Sequence, residues 1–210
     1  MKTVIGIDFD NTIVCYDEVF HKVALELNLI PANIPTNKES VRNYLRKIGQ
    51  EDAWTELQGY VYGMRMNDAF VFPGLINFLN TAKRKDISIY IVSHKTLNPY
   101  LGPKYDLHKA AREWLNHQGF FEPNSIGLDL NKVFFELSID EKIKRISTME
   151  CQYFIDDLPE IFLKENFPKE VNKILFDPHR KILVNEKIPH SFCRWDEISN
   201  HLLGEIYEYN

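Results

Sequence analysis

The sequence predicts an α/β fold built on a parallel sheet, and three observations carry that prediction. Short apolar runs recur along the chain, helical patterns separate them, and acidic or hydroxyl residues follow several of the runs. Runs of β-branched and aromatic residues without alternation are typical of strands buried on both faces, and strands that alternate with helices form parallel sheets. We therefore predict a Rossmann-like parallel sheet core flanked by helices, with a small all-helical insertion after the first strand.

Each element of this prediction follows from a local pattern. Unalternating apolar runs predict strands at residues 4–7, 87–92, 132–135, 152–155 and 174–176. Apolar residues at helical spacing predict helices at 75–82, 108–117, 141–149 and 196–203. Residues 17–68 break the alternation, because they contain three helical patterns, at 17–29, 38–48 and 52–66. We therefore predict a core domain of residues 1–16 and 69–210 and a helical cap of residues 17–68.

Composition limits the classes of function. The 210 residues are 44% hydrophobic, which is enough for a packed core, and the net charge of -5 gives no general attraction to nucleic acid. Cys15, Cys151 and Cys193 lie far apart with no CxxC pair, so neither a disulfide framework nor a zinc site is indicated. The first residues do not resemble a signal peptide, and no apolar stretch approaches the length of a membrane span. We expect a soluble, cytoplasmic protein with no nucleic-acid or membrane partner.

Polar residues follow three predicted strands where each strand ends. They are Asp8, Ser93 and Asp156. The carboxyl ends of parallel strands meet at one edge of the sheet, where ligands of open α/β sheets bind. The pair Asp8 and Asp10 suits phosphoryl transfer, because one carboxylate can attack phosphorus while a second moves protons. Acidic pairs are also common in loops and caps, so this pair alone does not decide the function.

Further residues could complete a phosphate site at the same edge. Asp156 and Asp157 bring more carboxylates, which a hard cation such as Mg²⁺ would neutralise, although Asp-Asp-Leu-Pro is also good turn chemistry. Ser93 offers a hydroxyl to a phosphate oxygen. A cation should oppose the phosphoryl group, and Lys142 and Lys144 both fall in the first turns of a predicted helix that starts near this edge. Lys132 begins the preceding strand, at the opposite edge, and is excluded.

In this order the residues resemble the four motifs of the haloacid-dehalogenase-like superfamily. The motif residues are Asp8-x-Asp10-x-Thr12, Ser93, Lys142 with Lys144 in reserve, and Asp156-Asp157. The resemblance covers the whole chain, and residues 17–68 are similar to the family's cap between the first two motifs. It implies that Asp8 is the nucleophile and a metal ligand and that Asp10 is the general acid/base, with its main-chain carbonyl also on the metal. It also implies that Asp156 binds Mg²⁺, supported by Asp157.

The resemblance assigns the phosphate contacts as well. Ser93 and Lys142 would hold the phosphoryl oxygens, and Thr12, grouped with them, would brace the first loop. Loops as long as residues 96–107 are often functional, so contacts with the substrate are predicted for residues in or beside this loop and for one residue of the cap. These are His94, Lys95, His108 and Arg65. Ordinary packing is the alternative explanation for each of them.

The sequence thus predicts a Mg²⁺-dependent phosphatase that hydrolyses a small phosphomonoester, such as a sugar phosphate, through an aspartyl-phosphate intermediate. A phosphomutase or a nucleotide phosphatase would need the same core residues. Dehalogenation is disfavoured because the family's dehalogenases lack the second aspartate, here Asp10. A non-catalytic binding or regulatory module is also disfavoured, because such proteins lose motif carboxylates that this chain retains. The sequence leaves the oligomeric state open.

Overall fold

A computed structural model describes residues 2–182 and 188–204 of the chain. Its main sheet has six strands, all parallel, in the order β5-β4-β1-β6-β7-β8. Their bounds are Val4–Ile7 (β1), Ser88–His94 (β4), Val133–Glu136 (β5), Tyr153–Asp156 (β6), Asn172–Phe176 (β7) and His190–Phe192 (β8). A second sheet pairs the two-residue strands β2, Val14–Cys15, and β3, Phe70–Val71. The predicted α/β architecture is confirmed.

Strand β1 lies inside the sheet, between β4 and β6. The chain runs outward in one direction through β4 and β5, and then returns to the other side of β1 through β6, β7 and β8. The strand order therefore reverses beside β1. In open α/β sheets, the crevice at the carboxyl ends of the strands on either side of such a reversal is the usual ligand site. The topology thus directs attention to the residues that follow β1 and β6.

Eight α-helices accompany the strands in the described part of the chain. Their bounds are Asp17–Glu26 (α1), Lys38–Lys47 (α2), Glu51–Gly63 (α3), Leu75–Arg84 (α4), Leu107–His117 (α5), Ile139–Thr148 (α6), Pro159–Phe162 (α7) and Trp195–Leu203 (α8). Local signals explain several starts: Asn37, Asp106 and Ser138 are N-caps whose side chains accept a backbone N–H three residues later. Among the described residues, no helix combines the length and hydrophobicity that a membrane crossing requires.

Most predicted elements are present, with their ends shifted by a few residues. Helix α1 stops at Glu26, three residues before the predicted end, and Asn28 has a left-handed backbone (φ 55°) there. No sequence pattern predicted β2 and β3, which have two residues each, the three-residue β8 or the four-residue α7. Such short elements have too few residues to show a periodic pattern.

The described chain groups into two compact units. The first comprises residues 1–13, 71–94 and 119–210, insofar as they are described, and holds the six-stranded sheet. The second comprises residues 14–70 and 95–118. It therefore contains the whole predicted cap, 17–68, together with α5 and the loop before it. The functional division of the chain into a core and a cap stays a prediction.

The second unit has its own aromatic core. Phe20 and Trp54 are both buried, with their ring centroids 5.1 Å apart, and the indole of the buried Trp114 donates to the carbonyl of Ala69. Loop 96–107 packs on helix α3 at a glycine: a Cβ atom at Gly63 would lie 2.5 Å from the side chain of Tyr105. Any residue other than glycine at position 63 would clash with the Tyr105 side chain. The loop is therefore fixed against the helices of this unit.

Candidate active site

The first feature of the candidate site is a pair of carboxylates on neighbouring strands. Asp8 directly follows β1, and Asp156 is the last residue of β6. The register pairs Ile7 with Ile155, and the backbone N–H of Asp8 donates to the carbonyl of Ile155 at 2.8 Å. The strand reversal beside β1 therefore brings residues 8 and 156 together at the carboxyl edge of the sheet. This confirms the placement that was predicted from strand ends.

A lysine from helix α6 joins the two carboxylates. Lys142 Nζ lies 2.6 Å from Asp8 Oδ1 and 2.6 Å from Asp156 Oδ2. All three side chains are buried, with exposures of 3% for Lys142, 5% for Asp8 and 0% for Asp156. Lys144, the other lysine that the sequence left open, is exposed. Lys142 is therefore the lysine that this helix places among the carboxylates.

Burial and charge act in opposite directions on this group. Burial, together with the nearby charge of Asp8, outweighs the opposing effect of Lys142 and raises the pKa of Asp156 to about 7. For Lys142, burial alone would lower the pKa, but the charges of Asp156 and Asp8 outweigh it and raise the pKa above its ordinary value. One buried ammonium group shared by two carboxylates explains why both pKa values are raised. Lys142 stays charged, and its single positive charge is shared between the two carboxyl groups.

A third carboxylate deepens that imbalance. Oxygen atoms of Asp8, Asp156 and Asp157 all lie within 4.8 Å of one another. Thr12 is fully buried, and its hydroxyl donates to Asp157 Oδ1 at 3.3 Å. The indole N–H of Trp195 in turn donates to the carbonyl of Thr12 at 3.1 Å. Thr12 therefore braces the loop after β1 and positions Asp157, whereas its predicted contact with phosphate stays a prediction.

Other predicted residues occupy the same edge of the sheet. Ser93 and His94 are the last residues of β4, and Ser93 is buried. Since Ile91 pairs with Ile7, Ser93 lies at the level of the loop that begins with Asp8. Asp10 is half-buried within that loop, and the next residue, Asn11, has a left-handed backbone (φ 59°) that turns the chain sharply. The structure does not test the roles predicted for these residues.

Comparisons with known proteins identify the fold. The sequence matches no protein-family model and no curated protein. Solved structures match it along nearly its whole length: a protein described as a HAD-hydrolase, YfnB from Bacillus subtilis bound to magnesium, has a TM-score of 0.60 at 14% identity, covering 97% of this chain and 99% of that one. A HAD hydrolase of family IA, variant 3, from Entamoeba histolytica has a TM-score of 0.58 at 15% identity, covering 97% and 98%. A dehalogenase has a TM-score of 0.56 at 12% identity, covering 98% of both chains.

The chain has the haloacid-dehalogenase-like fold. Its parallel sheet flanked by helices matches the fold of these neighbours over nearly the whole chain. At identities of 12 to 15%, the likeness concerns the fold. Which chemistry a chain with this fold performs must be argued from its own residues.

One of these structural neighbours is bound to magnesium, and the residues present in this chain fit such an ion. Asp8, Asp156 and Asp157 offer carboxylate oxygens close enough to share an ion, and Mg²⁺ prefers such hard oxygen ligands. Lys142 neutralises only one of the three negative charges, so a divalent cation would relieve the repulsion that remains. Asp10 is not among these three side chains; its predicted contribution is its main-chain carbonyl, which stays a prediction.

Three of the predicted substrate residues belong to the second unit, where each has a structural partner. Arg65 bonds to the carboxylates of Glu26 and Asp68. The ring of His108 is 2.7 Å from the main-chain carbonyl of Lys95, through Nε2. The Lys95 side chain is buried, with its ammonium group 4.6 Å from the centre of the Tyr62 ring. Packing therefore explains the position of Arg65 and His108, and any contact of these residues with substrate stays a prediction.

The spacing of apolar residues in helix α6 distinguishes Lys142 from Lys144. Helix α6 buries Ile139, Ile143 and Ile146 to different extents, and Lys142 lies three residues after the first and four before the last. This spacing puts Lys142 on the apolar face of the helix, where a lysine needs a buried partner. Lys144 lies off that face. The tie between Trp195 and Thr12 joins residues 183 positions apart, and no sequence pattern signals it.

Proposed function

We propose that this protein is a Mg²⁺-dependent phosphatase that hydrolyses a small phosphomonoester through an aspartyl-phosphate intermediate. The observation that carries the proposal is the buried contact of Lys142 with both Asp8 and Asp156 at the strand reversal. It combines a nucleophile, a fixed cation and an excess of carboxylates in one place. Phosphoryl transfer needs these three things, because its transition state spreads negative charge over several oxygens.

The first step transfers the phosphoryl group to the protein. A carboxylate oxygen of Asp8 forms a bond to phosphorus while the bond between phosphorus and the leaving oxygen breaks. Asp10 donates its proton to that oxygen, which leaves as an alcohol. Lys142 and Ser93 hold the phosphoryl oxygens, and Lys142 also fixes the Asp8 carboxylate for the attack. Asp8, Asp156 and Asp157 would hold Mg²⁺, which would neutralise charge at the transferring group.

The second step releases phosphate. Asp10, now a carboxylate, takes a proton from a water molecule whose oxygen forms a bond to phosphorus, and the bond between phosphorus and Asp8 breaks. This step returns Asp8 as a carboxylate and Asp10 as an acid, so the cycle balances. The presence of Asp10 is the reason to favour phosphate esters over haloacids. A net charge of -5 favours a small phosphorylated metabolite over a nucleic acid.

The proposal is tested by a screen of phosphorylated metabolites and an aryl phosphate with Mg²⁺. Turnover should disappear with EDTA, and Asp8→Asn should lower kcat at least about 10³-fold, as expected when a covalent nucleophile is lost. Asp86→Asn is the matched control, because Asp86 is exposed and pairs with Lys2. Phosphate trapped on Asp8 during turnover would identify the intermediate by mass spectrometry.

Two results would contradict the proposal. Equal phosphatase activity in the Asp8→Asn and Asp86→Asn proteins would remove Asp8 from the mechanism. Release of halide from a 2-haloacid, with no hydrolysis of any phosphate ester, would assign this chain to dehalogenation instead. Asp10→Asn separates the two chemistries further, because only the phosphatase mechanism needs an acid at that position for the leaving group.

A further inference from the structure

Helix α8 begins with Trp195, whose side chain is fully buried in the first unit. Its ring packs against two others of that unit: the ring centroid of Phe78 lies 5.0 Å away and that of Phe176 lies 5.6 Å away. Phe78 belongs to α4 and Phe176 ends β7, so two separate elements fix the indole. The indole N–H donates to the main-chain carbonyl of Thr12 at 3.1 Å. The direction of this N–H is therefore set by packing outside the loop that it contacts.

The bond from the indole fixes the loop between β1 and β2 near its far end. Backbone bonds tie the loop at Asp8, whose N–H donates to strand β6, and at Ile13, whose carbonyl accepts from the chain before α4. Thr12 is fully buried, and a buried carbonyl without a donor is costly. Trp195 supplies a donor to the Thr12 carbonyl from α8. The orientation of the Thr12 residue therefore depends on where α8 places its indole.

The hydroxyl of Thr12 connects this contact to the carboxylates. It donates to Asp157 Oδ1 at 3.3 Å, and Asp157 is one of the three aspartates whose oxygens lie within 4.8 Å of one another. Thr12 thus accepts a bond from α8 through its carbonyl and donates one to Asp157 through its hydroxyl. Groups that hydrogen-bond to metal ligands orient those ligands, and changing such a group typically lowers metal affinity about 10–100-fold.

We infer that Trp195 is a positioning residue for the magnesium site, because it holds Thr12 and, through Thr12, keeps Asp157 oriented toward the ion. This inference rests on the proposed function and deepens it, since it makes the packing of α8 a determinant of Mg²⁺ affinity. The indole N–H carries the effect, whereas the ring alone would only fill space. Trp195→Phe keeps an aromatic ring and removes the N–H. It should raise the Kd for Mg²⁺ roughly tenfold, the lower end of the usual range, because the contact is indirect.

A second tryptophan provides a matched control. Trp114 is also fully buried, and its indole donates to the carbonyl of Ala69, again at 3.1 Å. Both of these residues belong to the second unit, which contains none of the three clustered aspartates. Trp114→Phe and Trp195→Phe each remove one buried indole–carbonyl bond, so both should lower Tm. Calorimetric titration with Mg²⁺ should show a raised Kd in Trp195→Phe and a wild-type Kd in Trp114→Phe.

A double-mutant cycle tests the route through Thr12. Thr12→Val removes the hydroxyl that bonds to Asp157 and should itself weaken Mg²⁺ binding. Changes to residues that act through one series of contacts are not additive. If Trp195 acts through Thr12, adding Trp195→Phe to Thr12→Val should therefore raise the Kd much less than it does in the wild-type protein. Equal factors in the two backgrounds would mean that Trp195 does not act through Thr12, and the inference would be overturned.

The wild-type protein offers a measurement that does not depend on the folding of a Trp195 variant. Heteronuclear NMR of the nitrogen-labelled protein shows one indole N–H signal for each of its tryptophans, Trp54, Trp114 and Trp195. The Trp195 signal is assigned by elimination, from Trp54→Phe and Trp114→Phe. Mg²⁺ should shift the Trp195 signal with the Kd that calorimetry gives, because the ion acts on Asp157 and hence on Thr12. A Trp195 signal that does not move at saturating Mg²⁺ would refute the inference.

The titrations distinguish failure of this inference from failure of the proposed function, because they require no turnover. If the wild-type protein binds no Mg²⁺, the magnesium-dependent phosphatase proposal fails and the inference fails with it. If the wild-type protein binds Mg²⁺ and Trp195→Phe binds it as tightly as Trp114→Phe does, only the inference is overturned. A Kd raised roughly tenfold in Trp195→Phe alone supports the positioning role, even if no phosphate ester is hydrolysed.

Discussion

The two ends of the parallel sheet each hold a lysine next to strand β5, and the two lysines have very different surroundings. Lys132 precedes β5; its Nζ donates to the Ser88 hydroxyl at 2.6 Å and lies 5.2 Å from the centre of the Tyr90 ring. Lys142 comes after β5 and bonds to Asp8 and Asp156, with all three groups buried. Polar residues at a strand end are therefore not enough to indicate a site. The carboxyl end differs because its buried carboxylates outnumber the lysine that neutralises them.

Folding alone does not favour this arrangement at the carboxyl end. Taking charges out of water costs several kcal/mol for each ion, and a buried ion pair often stabilises a protein less than apolar residues of the same size would. The half-buried Lys132 at the other end avoids most of that cost. The three buried charged groups are therefore better explained by a role in catalysis than by a contribution to the stability of the fold. The comparison can be tested by changing each end in turn.

Removing the shared lysine should have the largest effect. Lys142→Met leaves Asp8 and Asp156 buried without their cation, which should lower the free energy of unfolding by about 3–5 kcal/mol in EDTA at pH 8. Phosphatase activity should fall with it, because in the proposed mechanism the phosphoryl oxygens lose a cation. Urea denaturation measures the first effect. Lys142→Arg should recover part of the stability, because it keeps the positive charge.

The same helix provides the control for that experiment. Lys144→Met changes an exposed residue two positions away, and its free energy of unfolding should stay within about 0.5 kcal/mol of wild type. A loss below 1 kcal/mol for Lys142→Met would mean that the carboxylates rearrange or take up protons without cost. The two ends of the sheet would then no longer differ in the energetic cost of their charges.

Magnesium should stabilise the folded protein through the carboxyl end. A ligand at a hundred times its Kd adds about 2.7 kcal/mol to the free energy of unfolding when it binds only the folded state. We expect Mg²⁺ to raise Tm in the wild-type protein, and this increase should be reduced in Asp156→Asn. The control is Asp140→Asn, because Asp140 is an exposed carboxylate at the start of α6 that accepts from Asn166. An equal Mg²⁺ response in both variants would place the ion elsewhere.

The strands that position the site could be predicted from sequence, because strands buried on both faces are continuous apolar runs. The pairing of Asp8 with Asp156 followed from the same logic, since both come at strand ends. The spacing of the α6 isoleucines also favours Lys142 over Lys144. Using that spacing requires knowing that the helix begins at Ile139. These features depend on local patterns that one segment contains by itself.

Other features could not be predicted, because they depend on contacts between distant segments. The hydrogen bond from Trp195 to Thr12 spans 183 residues. The grouping of residues 95–118 with 14–70 is decided by packing such as that of Tyr105 on Gly63, where the absence of a side chain creates the space. The aromatic surroundings of Lys38 combine rings from helices α1 and α3 and from the residue before α1. No periodicity in the sequence encodes these pairings.

The smallest effect is expected at the amino end of the sheet. Lys132→Met removes one hydrogen bond to Ser88 and one cation–π contact with Tyr90, both at a half-buried position, so the free energy of unfolding should fall by no more than about 1 kcal/mol. Phosphatase kcat and KM should equal those of wild type, because the residue lies at the edge of the sheet away from Asp8. Urea denaturation and steady-state kinetics of Lys132→Met beside Lys142→Met measure the difference directly. If both lysines cost the same stability and only Lys142 affects turnover, burial would not be what separates the two ends, and the catalytic cation would be identified by its carboxylate partners alone.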